Sequence, residues 1–309
     1  MIAIAPPKLQ PDVGLRTTNR WLNLDPLVVL PPLTLLHLLV HAPHAWYLGL
    51  VLVPLFALGL IFRPWLTKPP FWYVTAMLLG TTIYFNWESS DNHKYLFVYW
   101  CLALCTTFSL PRGQWGEGLA RTSRLLIALC MILATVWKVA TPEYMDSRFF
   151  TFELLTDDRF ANFTHWVTGV SAETLELNRE LRSLLTRDSA AWTSTVQLSG
   201  AAQVGPLAMF LTWWTVIIEG TIGLLFLLPA GKWTNRTRNT LLILFAATTY
   251  SVAPVRGFGW MLMLLGLAQC PTLAANGDEP KFRWGYLVGL LLIQAYMLPL
   301  GELIRVIAG

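Results

Sequence analysis

"LLIALCMILATVWKVATP", residues 125–142, decides the fold. From Leu125 to Trp137 no side chain carries a charge, and Lys138 then interrupts the run four residues before Pro142 ends it. A helix over this stretch has no polar face to offer water, so its natural solvent is hydrocarbon. The rest of the chain follows the same pattern. Of 309 residues 55% are hydrophobic and 13% charged, and the mean hydropathy is +0.51, which is too apolar for a soluble domain of this length.

The expected fold is all-α, a polytopic integral membrane helical bundle of about nine transmembrane helices. The expected spans are Pro26 to His41, Ala45 to Phe62, Phe71 to Phe85, Lys94 to Leu110, Ser123 to Thr141, Pro206 to Leu228, Arg238 to Pro254, Gly257 to Leu273 and Arg283 to Ile304. Residues 1–25 read as a cytoplasmic N-terminal segment without the h-region of a cleaved leader, and residues 26–309 as a single transmembrane domain. Pro31, Pro32 and Pro54 imply that the first two helices are tilted or broken.

Basic residues fall in alternate connections: Arg63 and Lys68, Arg112 to Arg124, Lys232 to Arg238, and Lys281 with Arg283. By the positive-inside rule these loops and the N-terminus face the cytoplasm, most simply of a bacterial inner membrane. The net charge of +4 is scattered and forms no basic stripe, so nucleic acid is not an expected partner. The lipid bilayer is.

The opposite loops then share the outer face. They include the turn from Glu88 to Lys94, the Val255-Arg256 corner and one long connection over 142–205. Within that connection "SAETLELNRELRSLLTR", 171–187, reads as an amphipathic helix. Ser171 is its N-cap, and Leu177, Leu181, Leu184 and Leu185 form its apolar stripe. It would lie over the bundle mouth or along the membrane surface.

Two charges sit inside apolar runs. Lys138 is about 6 Å from the outer end of its helix, and either snorkels to the headgroups or points inward, where a neutral amine could act as a base. Glu219 is about 20 Å below Pro206 and, with Thr212 and Thr215 on its face, looks inward; counted this way the two differ in depth by about 14 Å, too far for an ion pair. His37, His41 and His44 have partial metal-ligand spacing, but no acidic ligand or general base accompanies them, so no metal is assigned. Trp137, Trp213, Trp214 and Tyr250 serve either as interface aromatics or as a stacking surface for an aromatic ligand. Cys101, Cys105, Cys130 and Cys270 lie in apolar segments without metal or redox spacing.

"DNHKYLFVYWCLALCTTFSLPRG", 91–113, followed by "LLIALCMILATVWKVATPEYM", 125–145, resembles the horizontally transferred transmembrane (HTTM) domain family, which includes the membrane part of vitamin K-dependent gamma-carboxylases. The resemblance implies that Asn92 and His93 correspond to the family's Asn-His pair and Lys138 to its catalytic lysine. It also implies a lyase-type reaction and a reduced quinone, vitamin K hydroquinone-like, as cofactor. Glu219, Tyr95, Trp137 and Arg256 are then the expected ligand-binding residues around an outer pocket that takes a quinol or a lipid. A separate partner chain would have to supply the domain that holds a protein substrate. The competing expectation is a non-catalytic membrane protein, either a small transporter or an accessory subunit of a redox system.

Overall fold

Proline and glycine set many of the helix boundaries. The computed structural model describes residues 25–40, 46–87, 90, 92–187, 197–253, 255–270 and 279–295. Among these residues there are thirteen α-helices, three short 3-10 turns and no strand. The helices are α1 (Pro26–Val40), α2 (Trp46–Ile61), α3 (Pro69–Phe85), α4 (Asn92–Ser109), α5 (Trp115–Ala140), α6 (Pro142–Met145), α7 (Arg148–Thr156), α8 (Ala161–Thr168), α9 (Ala172–Arg187), α10 (Val204–Leu227), α11 (Lys232–Val252), α12 (Arg256–Ala268) and α13 (Glu279–Ala295).

Asp25 opens α1 by accepting the Leu27 amide on its side chain at 3.0 Å. Prolines occupy the first turn of α3 and of α6, where a missing N–H costs nothing. Pro142 also ends α5: the residue before a proline is driven out of the helical region, and Thr141 is extended at φ −99°, ψ 109°. Gly169 stops α8 in the left-handed conformation, at φ 73°.

Each of the nine stretches expected to span is helical over most of its described residues, with non-helical ends at Phe62, Leu110, Thr141, Leu228, Ala253 and 269–270. Two pass the test of length and apolarity for crossing a membrane, Arg112–Ala140 and Val204–Leu227. Pro26–Val40, Gly49–Ile61 and Arg256–Ala268 are apolar but shorter. Nearly all of α12 from Gly257 to Ala268 is buried. It is the axial helix, enclosed by α1, α4, α5, α11 and α13. A helix apolar on every side belongs in such a position. Trp100 of α4 donates to the Thr34 hydroxyl of α1 at 2.9 Å and ties two of the surrounding helices together.

Several helices turn apolar side chains outward. On α5 these are Leu125, Leu129, Leu133, Val136 and Trp137, on α10 Phe210, Trp213, Ile217 and Leu224, and on α3 Tyr73, Val74, Met77 and Tyr84. In water such stripes would be association surfaces.

Among its described residues the connection over 142–205 holds four helices, α6 to α9, where one was expected. Tyr144, Phe150, Leu154, Phe160, Val170 and Leu175 share a second core with Val204, Ala208 and Leu211 of α10. This unit forms a cap at one end of the bundle. Ser171 caps α9 as expected, accepting the Thr174 amide at 3.2 Å. The expected leucine stripe is corrected: Leu177 and Leu184 are 52% and 54% exposed, whereas Leu175 and Asn178 are buried, and the side chain of Leu185 lies outside the described residues. The reason is polar. Asn178 donates to the Ser199 carbonyl at 2.8 Å and accepts the Ser199 amide at 3.0 Å, so a carboxamide next to Leu175 occupies the buried face and holds the returning chain.

α5 and α10 meet at a close helix contact. A Cβ at Gly223 would come within 2.7 Å of the Ile132 side chain and 3.1 Å of its backbone nitrogen. Gly223→Val is therefore expected to lower the thermal midpoint of the purified protein in detergent, by overpacking worth about 1–3 kcal/mol. Gly80→Ala, with nothing within 4 Å of its Cβ position, should leave the midpoint unchanged or slightly raised.

Candidate functional site

The α5–α10 contact brings the two isolated charges together. Gly220 lies against Thr135 and Gly223 against Ile132, an antiparallel register that places Glu219 level with Lys138. Lys138 Nζ donates directly to Glu219 Oε2. The side chains are 18% and 9% exposed. This corrects the 14 Å separation expected from the sequence. That estimate measured both depths from one outer plane, but Val204–Thr215 of α10 rises past the end of α5 and packs on α7 and α8 of the cap.

A third element completes the surroundings of the pair. Just beyond Pro142, Tyr144 of α6 presents its ring to the ammonium, 5.4 Å from Nζ to the ring centroid. Its hydroxyl shares a 2.7 Å hydrogen bond with Thr215 Oγ1 on α10, and its carbonyl accepts from Thr212 at 3.4 Å. Phe149 stacks on the same ring with centroids 5.1 Å apart. Burial pushes the Tyr144 phenol up, against the opposing hydrogen bond from Thr215, so it remains a neutral group beside the pair. The lysine therefore sits between the Glu219 carboxyl group and an aromatic face.

The other expected site residues are placed differently. Asn92 opens α4, and its side chain, like Glu88 and Asp91, lies outside the described residues. His93 meets Phe97 edge-on, with centroids 6.4 Å apart. Phe97 in turn stacks on His37 at 4.3 Å, and His37 contacts the Trp260 ring at 4.7 Å. His37 is fully buried within this aromatic group, while His41 and His44 lie outside the described residues. Trp137 turns away from the bundle, 75% exposed, although it neighbours Lys138 in sequence. Tyr95 and Arg256 are also exposed. Tyr144 was missing from the expected site, and its signal was the helix-opening Pro142 immediately after the lysine helix.

Two further polar groups stand apart from the pair. At the opposite end of the bundle, Asn239 Oδ1 accepts from Gln269 and, at 2.5 Å, from Tyr286, while the Arg238 guanidinium lies over the Phe226 ring. In the cap, α9 is fastened to α7 and its following turn by Arg179 to Asp158 at 2.5 Å and by Arg182 to Thr156 at 3.1 Å and Glu153 at 3.9 Å. Burial, with the hydrogen bond and charge of Asp157, pushes the Glu153 carboxyl up to about 7, with Arg182 and Arg159 opposing. Burial also works against ionised Asp157, but hydrogen bonds from Arg159 overcome it and hold that carboxyl at about 2.

Comparison of the chain with protein-family models, with curated proteins and with solved structures gives no match. The chemistry of the site therefore has to be argued from its own geometry.

The cap carries a pH signature with a defined sign. A carboxyl raised on folding contributes stability that is complete below its unfolded value, 4.5, and is lost as pH rises through about 7. Thermal midpoints measured in detergent from about pH 5 to pH 8 should therefore fall across that window. Glu153→Gln should flatten the decline; an unchanged slope would show that Glu153 is ionised throughout.

Proposed function

We propose that the chain is a polytopic membrane protein of the HTTM, carboxylase-like type, in which the Lys138–Glu219 pair accepts a proton from the hydroxyl of a quinol-like or lipidic ligand. The observation that carries this reading is the pair itself, a base and a cation held together at a packed helix contact next to a neutral phenol. The span-length helices, the outward apolar stripes and the alternation of basic loops support a bilayer setting, with the cap outside and the N-terminus in a bacterial cytoplasm.

In the resting pair Lys138 already donates to Glu219, so its nitrogen is not free to act alone on a ligand. A ligand O–H entering beside it exchanges partners. The proton passes from the ligand oxygen to the Glu219 carboxylate, and the oxyanion takes the place of that carboxylate against the Lys138 ammonium. Net charge is conserved within the site, which limits the cost of the step in a medium of low dielectric. The residue matching the family's lysine then acts as the cation that stabilises the ligand anion, and Glu219 as the destination of the proton. Tyr144 and Thr215 fix the geometry from above.

A transporter would require polar groups to continue through the bundle. Between Tyr250 near one end of α11 and Asn239 toward the other, about 16 Å along the axis, the helix buries Leu242, Phe245 and Ala246. This apolar stretch favours a closed site over a through path.

The test is anaerobic equilibrium binding of a short-chain 1,4-naphthoquinol to the protein in lipid nanodiscs. Replacing both members of the pair, Lys138→Met with Glu219→Leu, avoids leaving one charge buried alone. Affinity should fall at least about tenfold, the loss of one charge-assisted hydrogen bond. Equal binding by wild type and double variant would overturn the proposal.

A further inference from the structure

Glu153 and Asp157 stand one helical turn apart at the C-terminal end of α7, where a helix disfavours negative charge. Both side chains are largely buried, 13% and 12% exposed, so water screens them little. They hydrogen-bond each other, and two carboxyl groups do so only when one of them carries a proton. Asp157 is the ionised partner. It accepts the Arg159 backbone amide at 2.8 Å and side-chain hydrogen bonds of 2.5–3.0 Å from the same residue. Glu153 holds the proton, and its Oε2 has no hydrogen-bond partner among the described residues.

Arg182 of α9 reaches both ends of this arrangement. Its Nη1 donates to Thr156 Oγ1 at 3.1 Å and stands 3.9 Å from Glu153 Oε2, about 1 Å beyond hydrogen-bond length. Thr156 donates its own proton to the Phe152 carbonyl at 2.8 Å, so it meets Arg182 as an acceptor. The guanidinium lies over the Phe152 ring, 5.0 Å from Cζ to the centroid. The other charged or titratable groups around α7 are committed or exposed. Arg179 of α9 holds Asp158 and Glu176, and Arg148 holds Asp146. His165 of α8 meets the Val170 carbonyl at 2.7 Å, Glu143 of α6 is exposed, and the part of α10 packed on α7 brings no charge. Arg182 is the cation placed to answer an ionised Glu153.

We infer that the Glu153–Asp157 pair is a proton-operated latch between α7 and α9. With the proton in place the two carboxyl groups are joined and Arg182 rests on Thr156, the arrangement of this structure. When the proton leaves to water, two carboxylates face each other at the helix end, and Arg182 is drawn from Thr156 to Glu153. That attraction does not outweigh the burial and the repulsion, since the Glu153 carboxyl is pushed up to about 7, by burial first, with Arg182 opposing. The joint of α7 with α9 is therefore weaker at high pH. Phe149 and Phe150 on α7 pack on Tyr144 with centroids 5.1 Å and 5.4 Å away, so the latch acts on the helix that holds the cover of the ion pair. The latch does not depend on what the ion pair binds.

The test is hydrogen–deuterium exchange of the ligand-free protein in lipid nanodiscs at about pH 6 and about pH 8, corrected for the intrinsic pH dependence of exchange, with the infrared band of protonated Glu153 followed over the same range. Peptides from α7 and α9 should exchange about tenfold faster at the higher pH, the change expected of a carboxyl that titrates at 4.5 when opened and at about 7 when closed. Peptides from the second half of α10 should stay constant. Glu153→Gln keeps a donor toward Asp157 and does not ionise, so it should hold the slow rate at both pH values and lack the band. Thr156→Val removes the low-pH partner of Arg182 and should move the loss of the band to lower pH, because the guanidinium is then released to favour the carboxylate. A wild-type rate without pH dependence, or Glu153→Gln retaining the full dependence, overturns the latch. So does a Thr156→Val band that is lost at the same pH as in wild type. All of these outcomes leave the ion-pair reading to its own binding test.

Discussion

An ammonium and a carboxylate buried in an apolar bundle have to meet. Either one alone would carry a desolvation cost of several kcal/mol or give up its charge. Lys138 and Glu219 avoid that by pairing across α5 and α10, and the pairing fixes much else. It requires a close helix contact, which Gly220 and Gly223 permit. It sets the antiparallel register of the two helices, and that register carries the first half of α10 beyond the end of α5. The overhang is apolar and needs cover, and α6 to α9 supply it through the second core. The cap is in this sense a consequence of where the two charges sit.

The same stagger explains why the site is built from three elements. The last turn of α5 offers the lysine, the middle of α10 the glutamate, and α6, turned sharply at Thr141-Pro142, brings Tyr144 back over both. The cap is then held by groups of a different kind, surface-exposed or half-buried arginine–carboxylate contacts from α9 to α7 and its following turn, and the Asn178 clamp on Ser199. Exposed ion pairs are individually weak. The Asn178 bonds are buried and specific, and they govern how α9 is oriented.

Much of the helical fold was legible in the sequence because apolar runs ended by prolines and charged loops leave few alternatives. Ser171 and the start of α9 were legible for a similarly local reason, a hydroxyl at an N-cap. Lys138 and Glu219 could each be recognised as misplaced in apolar surroundings. Their pairing could not be read, because depth was counted from a shared outer plane that the overhang of α10 abolishes. The face of α9 was misread for a related reason: counting leucines assumes an apolar core, and Asn178 shows that the buried contact there is a backbone hydrogen bond. The short helices α6 to α8 depend on single residues such as Pro142, Ser147 at φ 66° and Gly169, which no periodicity reveals. Trp137 shows the limit of adjacency, since one step along a helix turned it from the site to the exterior.

The central claim is that Lys138 and Glu219 form one energetic unit. A double-mutant cycle measures this directly: unfolding free energies of wild type, Lys138→Met, Glu219→Leu and the double variant, in the same detergent and at the same pH. The account predicts that each single change, which strands a buried charge, destabilises by about 3–5 kcal/mol, and that the double change recovers most of that loss. Additive losses, with the double variant as unstable as the two single variants combined, would contradict it.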